Sequence, residues 1–474
     1  MLDPMLFLLL ISCFWVAEGQ ASNWPRFRGP NGSGVADTSA LPAEFGPGKN
    51  LVWKTSLPAG HSSPVLSEKH VFLTAFEGEK LFTYCLDRAD GRILWRREAP
   101  RSRKEPLDKR NSPASPSPVT DGRDLYVFFG DYGLISYTAG GRERWRLPLG
   151  KFNNVYGMGS SPILAGDKVV LVCDQGTDSY VIAVGKKDGR VRWKTARPEA
   201  VSGHSTPVLY APKAGPAQIL APSSFQLTAY SADTGRKVWW VRGLPSEMKS
   251  GPVLSADTVY INGYGSPDND PGRQVSIPPF VDTLARNDAD KDGRISQTET
   301  HDQKLKMYFP FVDLDQDGGI DAREWEFYRA MMAAENGLLA LRLGGREDMT
   351  GTSLRWKYQK SVPQRPTTLL YKNVLYMIND GGVLSTFDPE TGALLKQARL
   401  RGAIDHYFAS PVAGDDKIFI VSQGGIVSVL RAGGEAEVLA VNELDDECYA
   451  TPAIADGRIY IRTRSALYCF GNKQ

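Results

Sequence analysis

The sequence predicts an all-β fold, an eight-bladed propeller, with a small α-helical domain inserted into the fifth blade. Two repeated features indicate this fold. A Gly-Arg turn followed by a tryptophan recurs at residues 91–95, 141–145, 189–193 and 235–239. A small residue, usually followed by proline, opens an apolar strand at positions 63, 117, 161, 206, 251, 367, 410 and 451. A period of about 40–50 residues is typical of units that each bury their apolar face against the next unit.

The spacing of these small residues fixes the number of blades and predicts how the ring closes. Seven intervals separate the eight positions, and six of them lie between 41 and 54 residues. The eighth unit ends near Phe470 without a tryptophan strand of its own, whereas residues 51–54 supply such a strand before the first unit. We therefore expect residues 51–54 to complete the last blade, which would leave no open sheet edge in the ring.

Six of the eight outer strands carry a tryptophan at an equivalent position, and blades six and seven have Lys396 and Val438 instead. The six are Trp53, Trp95, Trp145, Trp193, Trp239 and Trp356. Large aromatic side chains repeated once per blade indicate packing between neighbouring blades rather than a cofactor site.

The remaining interval, from 251 to 367, contains an insertion at residues 266–336. The predicted organisation is a signal peptide at 1–21, an N-terminal arm lying on the surface at 22–50, blades one to five at 51–265 and the rest of the propeller at 337–474. The first segment is apolar and followed by small residues before a cleavage point, which is typical of export. Residues 10–13 also fit a lipobox, so a lipid anchor on Cys13 or an uncleaved anchor are alternatives.

The insertion contains the clearest chemical motif of the sequence. Residues 288–299 and 313–324 each fit the pattern D-x-D-x-D-G-x5-E, whose oxygen atoms surround calcium, a hard cation. The first loop predicts the ligands Asp288, Asp290, Asp292, Arg294 (through its carbonyl), Ser296 and Glu299. The second predicts Asp313, Asp315, Asp317, Gly319 (through its carbonyl), Asp321 and Glu324. Ile295 and Ile320, at position 8 of each loop, should pair through their backbones. We expect two calcium ions, with a structural role.

Polar residues just before the innermost strands should ring the mouth of the central channel, a usual place for a ligand. The candidates are His61, His204, Lys249, Arg365 and His406. A wet channel lined with polar groups, a binding pocket, and a catalytic or metal site all fit this pattern. No G-x-S-x-G or H-E-x-x-H motif occurs, so no catalytic residue is assigned.

Charge and cysteine content narrow the class of partner. The net charge of +2 gives no reason to expect nucleic acid, and no transmembrane segment follows the signal. The basic run at 101–110 is interpreted as a solvated loop or a docking patch. Five scattered cysteines do not make a disulfide scaffold, and Cys85 and Cys469 occupy equivalent places in the first and last repeats.

The repeated turn, of the type D-x-x-[TD]-G-x-x-x-W, resembles the pyrroloquinoline-quinone-type propeller repeat family, and the insertion resembles the EF-hand family. The first family includes quinoprotein alcohol dehydrogenases and the propeller lipoprotein of the outer-membrane barrel assembly machinery. The resemblance implies the propeller fold over about 51–470. Those dehydrogenases have an adjacent Cys-Cys pair beside the quinone, and this chain has none, so no quinone-site residues are carried over.

The sequence therefore predicts an exported calcium-binding propeller of the periplasm or cell envelope. It would bind or scaffold a protein or small-molecule partner at the propeller face. The alternative is a quinoprotein-like oxidoreductase, or another enzyme, with its site at the channel mouth.

Overall fold

The computed structural model describes residues 23–472. The predicted signal peptide, the lipobox and Cys13 lie outside the described residues. Within residues 23–472, none of the helices is both long and apolar enough to span a membrane.

Eight sheets, seven with four strands and one with five, form the blades, so the predicted eight-bladed propeller is confirmed. The first strand, β1 (Leu51–Ser56), belongs to the eighth blade. Blades one to four contain β2 (Val65–Leu66), β3 (His70–Glu77), β4 (Lys80–Asp87), β5 (Ile93–Ala99), β6 (Val119–Thr120), β7 (Asp124–Phe129), β8 (Gly133–Thr138), β9 (Glu143–Pro148), β10 (Ile163–Ala165), β11 (Lys168–Cys173), β12 (Tyr180–Gly185), β13 (Val191–Ala196), β14 (Val208–Tyr210), β15 (Gln218–Ser223), β16 (Gln226–Ser231) and β17 (Lys237–Arg242).

The fifth blade begins with β18 (Val253–Leu254) and β19 (Thr258–Gly263) and is then interrupted by the insertion. The insertion contains α1 (Phe280–Asn287), β20 (Ile295–Ser296), α2 (Gln303–Val312), β21 (Gly319–Ile320) and α3 (Ala322–Ala333). The chain continues with β22 (Gly337–Arg342), β23 (Glu347–Asp348), α4 (Thr350–Ser353), β24 (Leu354–Tyr358), β25 (Leu369–Tyr371), β26 (Val374–Asn379), β27 (Val383–Phe387), β28 (Leu394–Arg399), β29 (Val412–Gly414), β30 (Lys417–Val421), β31 (Ile426–Arg431), β32 (Val438–Glu443), β33 (Ala453–Ala455), β34 (Arg458–Arg462) and β35 (Ala466–Gly471). Short 3₁₀ turns occupy Pro30–Gly32 and Pro267–Asn269.

The ring closes as the sequence predicts. Strand β1 pairs antiparallel with β35, which places Trp53 opposite Cys469 and Ser56 opposite Ala466. The eighth blade is therefore made from both ends of the described chain, and the first and last blades become neighbours.

The small residue that opens each innermost strand forms a ring of hydrogen bonds around the channel. Its backbone N–H donates to the side-chain hydroxyl of the equivalent residue in the next blade, over 2.9–3.0 Å. The series includes the closing bond from Thr451 to Ser63. It is interrupted at Gly251, since glycine has no hydroxyl to accept from Thr206. This bonding explains why the repeated residue is small and usually bears a hydroxyl.

The recurrent tryptophans pack between blades as predicted. In five blades the indole covers the turn glycine of the next blade, for example Trp53 on Gly91, where a Cβ would lie only 2.4 Å from the ring. Gly91 also has a φ of +76°, which disfavours other residues. Trp53 Nε1 donates to the carbonyl of Arg88 in that blade at 3.2 Å. Trp239 differs, because its indole donates to Gln218 of its own blade.

Strand pairing corrects one position predicted from the sequence. Trp95 lies opposite Cys85, just before a shift in register, and Lys396 lies in the same place opposite Thr386. In blade seven that place belongs to Ala440, opposite Val429, and the expectation of Val438 was wrong by two residues. Counting from the turn glycine gave the wrong residue in this blade, because the turn before β32 is longer.

The N-terminal arm, which was expected to lie on the surface with aromatic side chains pinning it to the body, crosses one end of the channel. Trp24 is fully buried and forms a bridge with Leu66 of the first blade. The buried Arg26 donates to Pro207 O in blade four at 2.7 Å. Arg28, also buried, donates to Thr368 O in blade six at 3.1 Å. The arm thus joins blades on opposite sides of the ring.

We predict that removing one indole at the ring closure weakens the whole propeller. Trp53→Ala should lower the free energy of unfolding by about 3–5 kcal/mol, as measured by urea denaturation, because a large buried side chain and a hydrogen bond are lost. Val52→Ala is the control, since Val52 is 39% exposed on the same strand, and its effect should stay within about 1 kcal/mol. Equal losses in the two variants would contradict this role of the indole.

Candidate functional site

The first acidic loop, residues 288–299, brings its carboxylates together around one point. One carboxylate oxygen from each of Asp288, Asp290 and Asp292 lies within 4.8 Å of the other two. Glu299 closes the loop, because its two oxygens accept from the backbone N–H groups of Ala289 at 3.0 Å and Ser296 at 2.8 Å. The chain can turn here because Gly293 has a φ of +85°.

The second acidic loop, residues 313–324, has the same geometry. Oxygens of Asp313, Asp315 and Asp317 again lie within 4.8 Å of one another. Glu324 accepts from Leu314 N at 2.7 Å and from Asp321 N at 3.0 Å. Ile295 and Ile320 pair directly, as expected for two such loops side by side. The oxygen donors of both loops have the hardness and arrangement that calcium prefers.

The two loops differ in their surroundings. In the first loop, hydrogen bonds from Ser296 lower the pKa of Glu299 to about 2. In the second loop, burial raises the pKa of both Asp313 and Glu324. Glu324 is 4% exposed. A buried carboxylate without a nearby cation is costly, so a bound divalent cation would suit the second loop in particular.

The second loop packs directly on the propeller beside the channel. Asn153 Nδ2 donates to the carbonyl of Leu314, the second residue of this loop, at 2.6 Å. The ring of Phe311, at the end of α2, stacks on Tyr156 with centroids 5.3 Å apart and an interplanar angle of 12°. The second loop therefore contacts the propeller through Asn153, and the helix before it contacts Tyr156 of the channel mouth.

Four of the five predicted channel-mouth residues line one cavity of about 250 Å³, namely His61, His204, Lys249 and Arg365. His406 does not line it. The side chain of His406 is 68% exposed, and its Nδ1 lies 3.2 Å from Asp380 Oδ2. His406 therefore lies outside this cavity but next to it, because it shares Asp380 with Arg365.

The same cavity contains residues that the sequence reasoning did not select: Phe27, Asp108, Arg110, Glu247 and Phe408. Asp108 and Arg110 belong to the run at 101–110, which was interpreted as a solvated loop or a docking patch. Arg110 lies seven residues before the small residue at 117, whereas His61 lies two before 63, so the register of the repeats gave no signal for this run. Phe27 carried no signal either, because nothing in the sequence placed the arm beneath the channel.

Most charged groups of the cavity are paired with each other. Arg110 Nε donates to Asp108 at 2.6 Å, and Lys249 pairs with Glu247. Arg365 lies over the ring of Phe408, with its Cζ 4.1 Å from the centroid. Its Nη1 has no hydrogen-bond partner within the described chain, although Asp380 lies 3.6 Å away. Arg365 is therefore ion-paired with Asp380 but keeps one guanidinium nitrogen without a hydrogen-bond partner.

The two histidines of the cavity are neutral near pH 7. Burial lowers the pKa of His61 to about 3 and that of His204 to about 4. His61 stacks on Tyr449, with centroids 4.1 Å apart, and His204 meets Tyr156 edge to face. His204 Nε2 has no hydrogen-bond partner among residues 23–472. Both rings therefore offer a neutral donor or acceptor to a ligand.

The four cysteines within residues 23–472 are buried free thiols, namely Cys85, Cys173, Cys448 and Cys469. Cys85 and Cys469 occupy equivalent places, because they lie opposite Trp95 and Trp53 in their blades. Their equivalence therefore reflects packing beneath the tryptophans.

These features define an eight-bladed propeller with calcium-type acidic loops inserted into one blade. A family model described as outer membrane protein assembly factor BamB matches residues 46–155, 84–267 and 329–474. The chain belongs to this family of pyrroloquinoline-quinone-type propeller repeats. A second model, described as EF hand, matches residues 305–327, which include most of α2 and the second loop. No curated protein matches the chain by sequence.

Solved structures share the fold at low identity. BamB from Moraxella catarrhalis is 12% identical, with a TM-score of 0.54 over 89% of this chain and 98% of that one. A europium-containing methanol dehydrogenase is 9% identical, with a TM-score of 0.61 over 95% and 98%. A quinohemoprotein alcohol dehydrogenase from Pseudomonas putida HK5 is 13% identical, with a TM-score of 0.54 over 95% and 81%. At these identities the likeness shows the fold alone.

We predict that His204 makes the propeller less stable in mild acid. Its folded pKa lies below the ordinary value of 6.5, so the unfolded chain binds the proton more readily, and stability falls as the pH drops from about 6.5 toward 4. Between pH 7 and pH 5 the wild type should lose about 2 kcal/mol more unfolding free energy than His204→Gln. Urea denaturation at both values measures this difference, and parallel curves for the two proteins would contradict it.

Proposed function

We propose that this protein is an exported calcium-binding propeller that acts as a binding or scaffolding module in the bacterial cell envelope. The observation that carries the proposal is the packing of the insertion beside the channel mouth, where Asn153 contacts the second acidic loop and Tyr156 contacts Phe311 at the end of α2. A metal-binding domain packed beside a cavity suits a protein that presents a binding surface. The family match, to a model described as an outer membrane assembly factor, supports the envelope location.

In this proposal the insertion holds two calcium ions, one in each loop. Three aspartates of each loop, the carbonyl of Arg294 or Gly319, and the position-9 side chain of Ser296 or Asp321 supply oxygens. Glu299 and Glu324 would bind with both carboxylate oxygens. Each of these two glutamates already has the N–H groups at both ends of its loop as partners, which holds its carboxylate toward the loop centre.

The charge of the insertion supports a structural role for calcium. Residues 266–336 contain 15 acidic and 8 basic side chains, a net charge of −7. Two calcium ions would reduce this to −3, so binding relieves repulsion and orders the domain. Asn336 ties the two ends of the insertion together, since it accepts from Gly265 N and donates to Ser266 O. An ordered insertion would therefore hold Phe311 against Tyr156 and shape the channel mouth.

The cavity at the mouth is the proposed site for a small-molecule or peptide ligand. It combines aromatic walls from Phe408, Tyr449 and Tyr156 with a few polar groups, which is the usual composition of a ligand pocket. The Nη1 of Arg365 and the Nε2 of His204, both without protein hydrogen-bond partners, would give a ligand its polar contacts.

Calcium binding can be tested directly by calorimetric titration of the purified, metal-stripped protein. We expect the wild type to take up about two ions, and Glu299→Gln and Glu324→Gln to take up about one each. The double variant should give no binding heat, because a neutral amide replaces a bidentate carboxylate in each loop.

The matched control is Glu326→Gln, which makes the same substitution in α3 at a side chain that pairs with Arg329 outside the loops. It should bind like the wild type. If the double variant and the wild type give equal heats, the assignment of the loops is wrong.

An oxidoreductase of the quinoprotein type is the second candidate function. It is favoured by the convergence of His61, His204, Lys249 and Arg365 on one cavity. The missing Cys-Cys pair argues against it.

A direct test is to add pyrroloquinoline quinone and calcium to the apoprotein, then to follow the quinone absorbance and dye reduction with short alcohols. We expect neither a spectral shift nor dye reduction, because no adjacent cysteine pair is present to flank a quinone. Alcohol-dependent dye reduction that is lost in Arg365→Gln would instead establish the enzyme and displace the scaffolding proposal.

A further inference from the structure

The outer strands of blades two to four, with the turns that lead into them, carry a large excess of positive charge. We define the basic arc by residues 138–148, 185–196 and 231–242, which contain 11 basic and 3 acidic side chains. The matching segments of blades six and seven, residues 387–399 and 430–443, contain 3 basic and 5 acidic side chains. The net charge of +2 for the whole chain therefore conceals an uneven distribution around the ring.

We propose that the basic arc docks the propeller on a membrane surface that contains anionic lipid headgroups. The attraction between clustered lysine and arginine side chains and such a surface is a general one. This inference goes beyond the proposed function, because no residue of the arc belongs to the insertion or to the channel-mouth cavity.

Five cations of the arc have no acidic partner within residues 23–472. Six of its eleven basic side chains form ion pairs, for example Arg144 with Asp124 at 3.2 Å and Lys186 with Asp121 at 2.5 Å. Each acid of the arc also has a basic partner, so the acids do not offset the remaining cations. The five exposed cations that form no ion pair among the described residues are Arg142, Lys187, Arg190, Lys194 and Arg236.

Packing between blades makes the three segments of the arc contiguous. Trp145 of blade two covers Gly189 in the turn of blade three, and Trp193 of blade three covers Gly235 in the turn of blade four. Each outer strand therefore lies against the basic turn of the next blade. The unpaired cations follow one another along one stretch of the rim, as a surface that meets many headgroups at once requires.

The basic turns lie at the face of the ring that the N-terminal arm crosses. Neighbouring strands of a blade are antiparallel, so the innermost strand ends at the same face as the turn between the third and fourth strands. The arm contacts these innermost ends, where Trp24 bridges Leu66 and Thr120 N donates to the carbonyl of Pro25 at 2.9 Å. The channel-mouth loops precede the innermost strands and lie at the opposite face. A membrane at the arm face would therefore leave the mouth open to ligands.

The start of the arm favours a membrane over a soluble acidic polymer as the partner. Trp24 lies on blade one, next to the arc, so the chain that precedes it emerges at the basic face. Cys13, the alternative site of a lipid anchor, is eleven residues before Trp24, which is about 36–40 Å of extended chain. One acyl chain alone holds a protein only weakly, and a basic surface is a common second attachment. Val191, next to Arg190, is 50% exposed, and an apolar side chain among cations suits the headgroup region.

The test is co-sedimentation of the purified mature protein, residues 22–474, with lipid vesicles. One set contains phosphatidylcholine alone, and the other contains about 30% phosphatidylglycerol, both in about 0.1 M salt. The same calcium concentration in all samples keeps the insertion in one state. We expect at least about tenfold tighter binding to the anionic vesicles, and we expect the difference to shrink at about 0.5 M salt, because salt screens exposed charges.

Lys187→Glu combined with Arg190→Glu should weaken binding to the anionic vesicles at least about thirtyfold, since two attractive charges are replaced by two repulsive ones. The matched control is Lys360→Glu combined with Arg401→Glu. It makes the same change of charge at two exposed cations that form no ion pair among the described residues and lie in loops of the mouth face. The affinity of the control should stay within about threefold of the wild type.

Arg142→Glu combined with Arg236→Glu provides an independent variant, on blades two and four, if the first one fails to fold. It should also weaken binding to the anionic vesicles. Equal binding of the wild type to neutral and anionic vesicles would overturn the proposal, and so would equal affinities of the wild type and both arc variants. If the wild type binds soluble polyglutamate through the arc but no vesicles, the partner is an acidic protein segment and the membrane proposal is wrong.

Discussion

The structure depends on each blade being completed by its neighbour. A single four-stranded sheet has two faces to bury and two edges to protect, and it can do neither alone. At the channel, the N–H that opens one blade donates to a hydroxyl of the next blade, as from Ser63 to Ser117. At the rim, an indole of one blade covers the turn glycine of the next, as Trp53 covers Gly91. These two contacts join neighbouring blades at the channel and at the rim of the ring. Each contact requires the same kind of residue at the same place in successive blades.

That dependence explains why so much of the fold could be predicted from the sequence. A contact that is repeated between neighbouring blades requires the same residue type in every blade. The spacing of the small residue at 63 and its equivalents therefore predicted both the number of blades and the position of the insertion. The exact position in blade seven was missed because the contact itself was replaced there. Ala440 has no tryptophan to reveal it, and Phe45, which fills the space, is distant in sequence and belongs to no repeat. The course of the arm was missed for the same reason.

The candidate sites show the same division between local and distant contacts. The acidic loops were recognised because all their oxygens come from one run of twelve residues, so spacing alone encodes the geometry. The channel mouth draws its residues from separate blades. His61 and His204 were found by their register, whereas Glu247 and Phe408 depend on how loops fold over the mouth. His406 does not line the cavity, because its position before an innermost strand does not fix the direction of its side chain.

The two acidic loops of the insertion share one sequence motif but have different surroundings. Both loops have the same sequence pattern and the same internal hydrogen bonds, yet the first is open to solvent and the second faces the propeller. Asp313 and Leu314 are 8% and 6% exposed, whereas residues 315–318 of the same loop face solvent. The first loop is joined to it through Ile295 and Ile320. An ion in the first loop would therefore affect the channel mouth through this ladder and the ion pair of Arg294 with Asp317, whereas an ion in the second loop would act through a loop that itself contacts Asn153.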